Sequence, residues 1–287
     1  MSPVNFEIWL NHFEYHAGHP RCVPHGPSDL LKPDQRRLIA GSIATFQLGE
    51  QSDGRTLLRA AQVFAHRRRI PALVRITELF IREQQGHAVL LRTFMEDHHI
   101  AFKRTDWTDR VFRLARRLAQ RLAGLELYIH LLISAELIGI VYYRTLEAAT
   151  DCRRLKVLCR GLVADELVHV GFESQLLLAL RAGRAARVQA LVRLAHRAFF
   201  AGTAGVVWLT HRSVLRQGGY GARSFLRVCL SQYAFHLEPV NVTLASSLQS
   251  ASRGSAPSHR RRTTIGDTAL QMSPTFRNCS SSRSNRL

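Results

Sequence analysis

The chain has 287 residues, and 46% of them are hydrophobic, which is typical of a folded protein with a large core and excludes an intrinsically disordered chain. Basic residues outnumber acidic ones by 40 to 21, which gives a formal net charge of +19. Only three of the basic residues are lysine, so the excess of arginine indicates codon bias rather than selection for phosphate contacts. Nucleic acid is therefore not expected as a partner.

The cysteines and the first residues bear on the cellular compartment. The five cysteines form no CxxC pair and are odd in number, which argues against a disulfide framework or a zinc–thiolate site. The first sixteen residues lack a basic segment followed by an apolar one, so no signal peptide is expected. Both observations favour a cytoplasmic location.

Apolar residues recur at spacings of three and four along nearly the whole chain, and alternating β-branched runs are missing, so the sequence predicts an all-α fold. An irregular N-terminal arm is expected over residues 1–32, which are rich in His, Pro and Gly. A helical domain is expected over residues 33–238, followed by a disordered tail over residues 239–287, which are rich in Ser and Arg. The predicted helices run from Pro33 to about His66, from Pro71 to about His98, and over residues 104–121, 122–150, 153–182, 185–217 and 222–236.

The most apolar stretch, residues 122–143, approaches the length of a membrane span. It contains Glu126, His130 and Glu136, and a carboxylate at the centre of a bilayer costs roughly 2.5–3.5 kcal/mol. We therefore predict a helix buried in protein, and no membrane span. Glu126 and His130 lie four residues apart on this helix and are predicted to pair with each other.

The second half of the helical domain carries a carboxylate–histidine pattern. Glu166 and His169 lie three residues apart, and so on one face of a helix, where both can bind one metal ion or two adjacent ions. Glu136 precedes them within the buried apolar helix. If these two helices form an antiparallel hairpin, the three side chains lie at the same height in the bundle.

The first half of the domain repeats this arrangement. Glu50 lies in the first predicted helix and His87 in the middle of the second, at a separation of 37 residues, against 33 between Glu136 and His169. Two such hairpins make a four-helix bundle with one inward-facing polar cluster, in which buried carboxylates are costly unless they are paired or bound to a cation. Two iron or manganese ions, which suit carboxylate and imidazole ligands, would supply the positive charge.

With these residues the chain resembles the ferritin-like di-iron carboxylate proteins, a broad group that includes rubrerythrins and bacterial di-iron oxygenases. The resemblance covers roughly residues 35–180, and its most specific part is Glu136 with Glu166-x-x-His169. It implies a ferritin-like four-helix bundle, here with extra C-terminal helices, and two bound iron ions, or manganese in their place, that react with dioxygen or peroxide. An unidentified small-molecule substrate or electron donor is implied as the partner, and a homodimer is compatible with the sequence.

One position departs from the family pattern. Gln84 stands three residues before His87, where the pattern has glutamate, and Glu83 stands four residues before it. Three alternatives are open at this point: Glu83 takes the ligand role through a local shift, Gln84 binds metal weakly through its amide oxygen, or this half of the site is impaired.

The side chains expected to bind metal are Glu50, Glu83, Gln84, His87, Glu136, Glu166 and His169. The expected function is that of an oxidoreductase with two iron or manganese ions. The alternative is a helical scaffold or interaction protein with a basic surface, whose site holds one ion or none.

Overall fold

The computed structural model describes residues 4–22, 29–51, 53–105 and 124–238, and these residues form helices and no strand. The all-α prediction is therefore confirmed for this part of the chain. The helices are α1 Phe6–Gly18, α2 Pro33–Glu50, α3 Arg55–Arg68, α4 Ala72–Asp97, α5 Gly124–Ala148, α6 Arg153–Arg181, α7 Ala186–Gln217 and α8 Ala222–Leu237. Nearly all of the predicted helix at 104–121 and the whole predicted tail at 239–287 lie outside the described residues.

The predicted irregular arm contains a helix, and this part of the sequence interpretation is corrected. The side chain of Asn5 caps α1 by accepting hydrogen bonds from the backbone N–H groups of Glu7 and Ile8. Trp9 and Phe13, one turn apart, are both buried, and each ring meets Phe172 of α6 edge-on. The burial of these two aromatic rings holds α1 against the other helices. The sequence did not indicate this helix, because residues 1–32 as a whole are rich in His, Pro and Gly.

The predicted helix from Pro33 to His66 is two helices, α2 and α3. The break falls at Gly54, which has a left-handed backbone conformation with φ of +64°. A Cβ at this position would lie 2.5 Å from Cγ2 of Ile81 on α4, so no larger residue fits without a rearrangement. The close approach at Gly54 lets α3 pack against α4 while α2 ends at Glu50.

Helices α5 and α6 form the most extensively packed pair, joined by a connection of four residues, 149–152. Helix α5 is the one helix in the described ranges that is long and apolar enough to cross a membrane, and most of its apolar window is buried inside the protein. This burial matches the prediction of a core helix. Helix α4 packs against α1, α2, α3 and α6.

Helices α7 and α8 add a second layer, in which α7 packs against α5 and α2. At the base of this layer Glu126 and His130 do not pair with each other as the sequence suggested. The guanidinium of Arg181 donates to Oε1 of Glu126 at 3.0 Å and also contacts His130, and Arg184 contacts the second oxygen of Glu126. Glu126 pairs with these arginines because two guanidinium groups neutralise a buried carboxylate better than a neutral imidazole does.

Candidate metal centre

Five side chains of the predicted site converge in the middle of the bundle. Glu50 ends α2, His87 lies in α4, Glu136 lies in α5, and Glu166 and His169 lie one turn apart on α6. The last four side chains are nearly inaccessible to solvent, whereas Glu50 is half-buried and faces a cavity. The sequence spacing therefore predicted a real convergence of carboxylates and imidazoles.

Glu166 stands between the two histidines. Its Oε1 lies 3.2 Å from Nδ1 of His87, and its Oε2 lies 3.3 Å from Nδ1 of His169. Atoms of Glu50, His87 and Glu166 lie within 4.8 Å of one another, and so do atoms of Glu136, Glu166 and His169. The two groups of three share one carboxylate, an arrangement in which a single glutamate can bridge two neighbouring cations.

The chemistry of these atoms fits a pair of metal ions. Nδ1 of His87 and Oε2 of Glu136 are buried and have no hydrogen-bond partner of good geometry. Unpartnered polar atoms are costly in a protein interior, and a coordinated cation would satisfy both. A set of imidazole nitrogens and carboxylate oxygens suits iron and manganese better than it suits soft metals.

A carboxylate from α6 holds the outer nitrogen of His87. Nε2 of His87 lies 3.3 Å from Oδ2 of Asp165, which is itself buried. Arg21, in the segment that follows α1, donates from Nε to Oδ2 of Asp165 at 2.6 Å and from Nη2 to Oδ1 at 2.5 Å. Burial would raise the pKa of Asp165, but the hydrogen bonds from His87 and Arg21 lower it, so the carboxylate stays ionised.

The outer nitrogen of His169 has the same kind of partner. Nε2 of His169 lies 3.4 Å from Oε2 of Glu83 on α4, and Nδ1 of His16 on α1 lies 3.0 Å from Oε1 of Glu83. Burial would raise the pKa of Glu83, but hydrogen bonds with His16 and His169 lower it. Glu83 therefore lies behind His169, and not among the central side chains as one of the sequence alternatives proposed.

The two segments that carry the histidines each supply a carboxylate to the histidine of the other segment. Residues 83–87 read Glu-Gln-Gln-Gly-His, and residues 165–169 read Asp-Glu-Leu-Val-His. In each, the first acid contacts the histidine of the other helix and the second residue faces the centre. A carboxylate on the far nitrogen fixes the ring orientation of a metal-binding histidine and raises its basicity.

Gln84 occupies the central position that follows from this pattern. Its Nε2 donates to Oε1 of Glu136 at 2.9 Å and lies 3.2 Å from Nδ1 of His169. The residue therefore faces the centre, as the second sequence alternative requires, with its NH2 group toward Glu136. The amide would have to turn by half a revolution to present its oxygen to a cation.

The metal-free centre retains protons on its imidazoles. Burial alone would lower the pKa of His169, but hydrogen bonds with Glu166 and Glu83 raise it to about 10. The pKa of His87 also lies well above its usual value, because the partners Asp165 and Glu166 outweigh burial. His169 is therefore cationic at neutral pH when no metal is bound, and the shift at His87 favours the same form.

The environment of the centre lowers the pKa of one carboxyl, Glu166, and raises the pKa values of Glu50 and Glu136. Burial raises the pKa of Glu166, yet the two imidazolium partners lower it to about 2. Burial, reinforced by the charge of Glu166, raises the pKa of Glu50 to about 7, and the hydroxyl of Tyr143 donates to Oε1 of Glu50 at 2.8 Å. Burial and the carboxylates of Glu173 and Glu166 raise the pKa of Glu136 well above its usual value.

Sequence reasoning missed four residues that contact the centre or its supports. Asp165 had a signal, because it stands in the acid position that precedes each central residue in the repeated pattern. Glu173, two turns beyond Glu166 on α6, is fully buried beside Glu136. His16 and Arg21 had no signal, since they lie in the segment that was expected to be irregular.

A cavity of about 190 Å³ opens beside the central carboxylates. Glu50, Gln84, Glu136 and Glu166 form one side of it. Side chains of α2, α3, α4, α5 and α7, most of them apolar, form the remainder. The central carboxylates therefore face a largely apolar, partly open cavity.

Comparisons of the chain with protein-family models, with curated proteins and with solved structures give no significant match. These comparisons therefore assign the chain to no family.

Proposed function

We propose that the chain is a ferritin-like di-iron carboxylate protein that acts as a cytoplasmic oxidoreductase on dioxygen or peroxide. The observation that carries this proposal is the position of Glu166, whose two oxygens face the Nδ1 atoms of His87 and His169 at 3.2 and 3.3 Å. A buried carboxylate between two imidazoles, flanked by further acids, has the composition and spacing of a dinuclear site.

The residues divide into two ligand groups. Glu50, His87 and one oxygen of Glu166 would hold the first ion, and Glu136, His169 and the other oxygen of Glu166 would hold the second. When bound, a pair of iron ions supplies the electrons that reduce dioxygen or peroxide. Manganese suits the same ligands and is the other candidate ion.

The chain's own side chains orient the ligands and shape the surroundings. The carboxylates of Asp165 and Glu83 lie 3.3 and 3.4 Å from the outer nitrogens of the two histidines and keep each Nδ1 directed at the centre. The hydroxyl of Tyr143 fixes the carboxyl of Glu50 on the side that faces the cavity. The apolar walls of the cavity limit water near the centre, which strengthens every electrostatic interaction there.

A metal-free scaffold is the second candidate, and Gln84 is the observation that favours it. An amide in place of the fourth carboxylate removes one negative charge from the centre, and the NH2 group of Gln84 satisfies Glu136 without any cation. In this alternative, the hydrogen bonds among the acids and imidazoles are structural, and the arginine-rich surface binds acidic partners.

Metal analysis separates the two candidates. Wild-type protein expressed in iron-supplemented medium should contain about two iron ions per chain, and Glu166→Ala should lose both because Glu166 belongs to both ligand groups. Glu147→Ala is the matched control, since Glu147 lies on α5 and pairs with Arg160 away from the centre. Folded wild-type protein that contains neither iron nor manganese would refute the di-iron proposal and support the scaffold.

A further inference from the structure

The cavity beside the centre differs sharply in composition from the rest of the chain. The protein has 40 lysine and arginine residues, yet none lines the cavity among the residues that the structure describes. Its acidic side chains are Glu50, Glu136 and Glu166, all of which belong to the ligand groups. A charged molecule would therefore lose its hydration in this chamber without gaining an ion pair away from the centre.

The walls that face the centre are apolar and come from several helices. Phe46 on α2, Phe80 on α4, Leu131 on α5 and Val207 on α7 line the chamber. Burying apolar surface against such walls stabilises a ligand by roughly 25 cal/mol per Å². The wall chemistry therefore selects for carbon-rich molecules.

One hydrogen-bonding side chain in the wall is held in a fixed orientation. Nδ1 of His211 lies 2.9 Å from Oγ of Ser42, which in turn lies 2.9 Å from the hydroxyl of Tyr142. His211 has non-helical backbone angles at a kink within α7, and its side chain is buried at the cavity wall. This arrangement gives the chamber a polar position that lies apart from the metal-binding carboxylates.

From these observations we infer that the cavity is the substrate site and that it takes an uncharged, mainly apolar molecule of about the size of a single aromatic ring with a short substituent. The inference rests on the proposed function, because the substrate is placed beside the ligand groups. The volume fits a molecule of this size, since a protein cavity of roughly 150 Å³ is known to hold benzene, and this one is about 190 Å³.

Gly139 on α5 offers a direct way to fill the chamber. It lines the cavity, and a Cβ at this position would meet only Tyr143 at 3.8 Å, an ordinary contact distance. Gly139→Leu should therefore occupy cavity space without a backbone clash, and Gly139→Ala should occupy less of it while favouring the helix. Gly202→Leu on α7 is the matched control, because Gly202 is exposed, has open space around its Cα and does not line the cavity.

The test measures toluene and benzoate binding by calorimetry with the full chain, first metal-free and then iron-loaded, alongside iron content. We expect toluene to bind the metal-free wild-type protein at least tenfold more tightly than benzoate. Gly139→Leu should weaken toluene binding at least tenfold, Gly139→Ala less, and Gly202→Leu not at all, while all three variants retain the iron content of the wild type.

The outcomes separate the substrate site from the metal centre. Iron-loaded protein that binds no toluene, or that binds benzoate as tightly as toluene, would overturn the substrate class while leaving the di-iron proposal in place. Unchanged toluene binding in both Gly139 variants would place the ligand elsewhere and would also overturn the inference. Toluene binding that responds to Gly139→Leu, in a wild-type protein that takes up no iron or manganese when both are supplied, would retain the apolar site and reject the di-iron function.

Discussion

Binding of metal to the centre should release protons. In the metal-free protein His169 has a pKa of about 10, and the pKa values of His87 and Glu136 also lie well above their usual ranges. Glu50, with a pKa of about 7, is half protonated at neutral pH. Coordinating imidazoles are neutral and coordinating carboxylates are ionised, so these protons must leave when two divalent ions bind.

The size of the effect follows from counting these groups. At pH 7 His169 holds one proton and Glu50 about half of one, and the raised pKa values of His87 and Glu136 add to this number, so the binding of two ions should displace at least one to two protons. The product of the two binding constants should then rise at least about tenfold for each pH unit near neutrality. Glu166 contributes nothing to this number, because its carboxyl is already ionised with a pKa of about 2.

Calorimetric titration with Mn²⁺ at one pH in several buffers measures the number of protons directly. The observed heat should vary linearly with the ionisation enthalpy of the buffer, and the slope gives the protons released per chain. Glu50→Gln should reduce the slope by about half a proton at pH 7, whereas the surface variant Glu147→Gln should leave it unchanged. Mn²⁺ binding whose heat is independent of the buffer would refute the assigned protonation states of the centre.

Three further predictions follow from the same geometry. Gln84→Glu should tighten Mn²⁺ binding at least tenfold in chelator competition, because it restores a fourth anionic ligand, and weaker binding would show that position 84 does not face the ions. Asp165→Asn should weaken Mn²⁺ binding roughly 10–100-fold by removing the acceptor that orients His87, with an unchanged far-ultraviolet circular dichroism spectrum, and unaltered affinity would contradict that orienting role. Phe13→Ala should lower the free energy of unfolding by about 3–5 kcal/mol in urea titrations, since this ring is buried against the bundle, and a loss below about 1 kcal/mol would mean that α1 does not pack as described.

The long amphipathic helices and the central residues could be predicted from sequence because both depend on local spacing. The bounds of α4, α5 and α6 fall within a few residues of those expected, since helical periodicity and the flanking breaks are strong signals. The ExxH spacing and the similar separations in the two hairpins placed Glu166 and His169 near Glu136 before any coordinates. Periodicity and spacing are properties of short segments, so they can be recognised without knowing how the segments pack.

The contacts that the sequence did not predict form between side chains of different helices, and they depend on how those helices pack. The break at Gly54 was missed because helical spacing continues on both sides of it, and only the approach of Ile81 shows why the helix ends. The position of Glu83 was left open because helical geometry alone cannot tell whether a residue four positions before His87 faces the ions or the partner histidine. That choice is decided by His169 and His16, which come from other helices.

Helix α1 and the residues just after it supply His16 and Arg21. His16 contacts Glu83, which lies behind His169, and Arg21 contacts Asp165, which lies behind His87. Anyone who transplants the four central segments into a designed bundle would obtain the acids and the rings without the groups that keep them aligned. A functional graft would have to include residues 6–21 as well, because His16 and Arg21 hold the carboxylates that orient the two histidines.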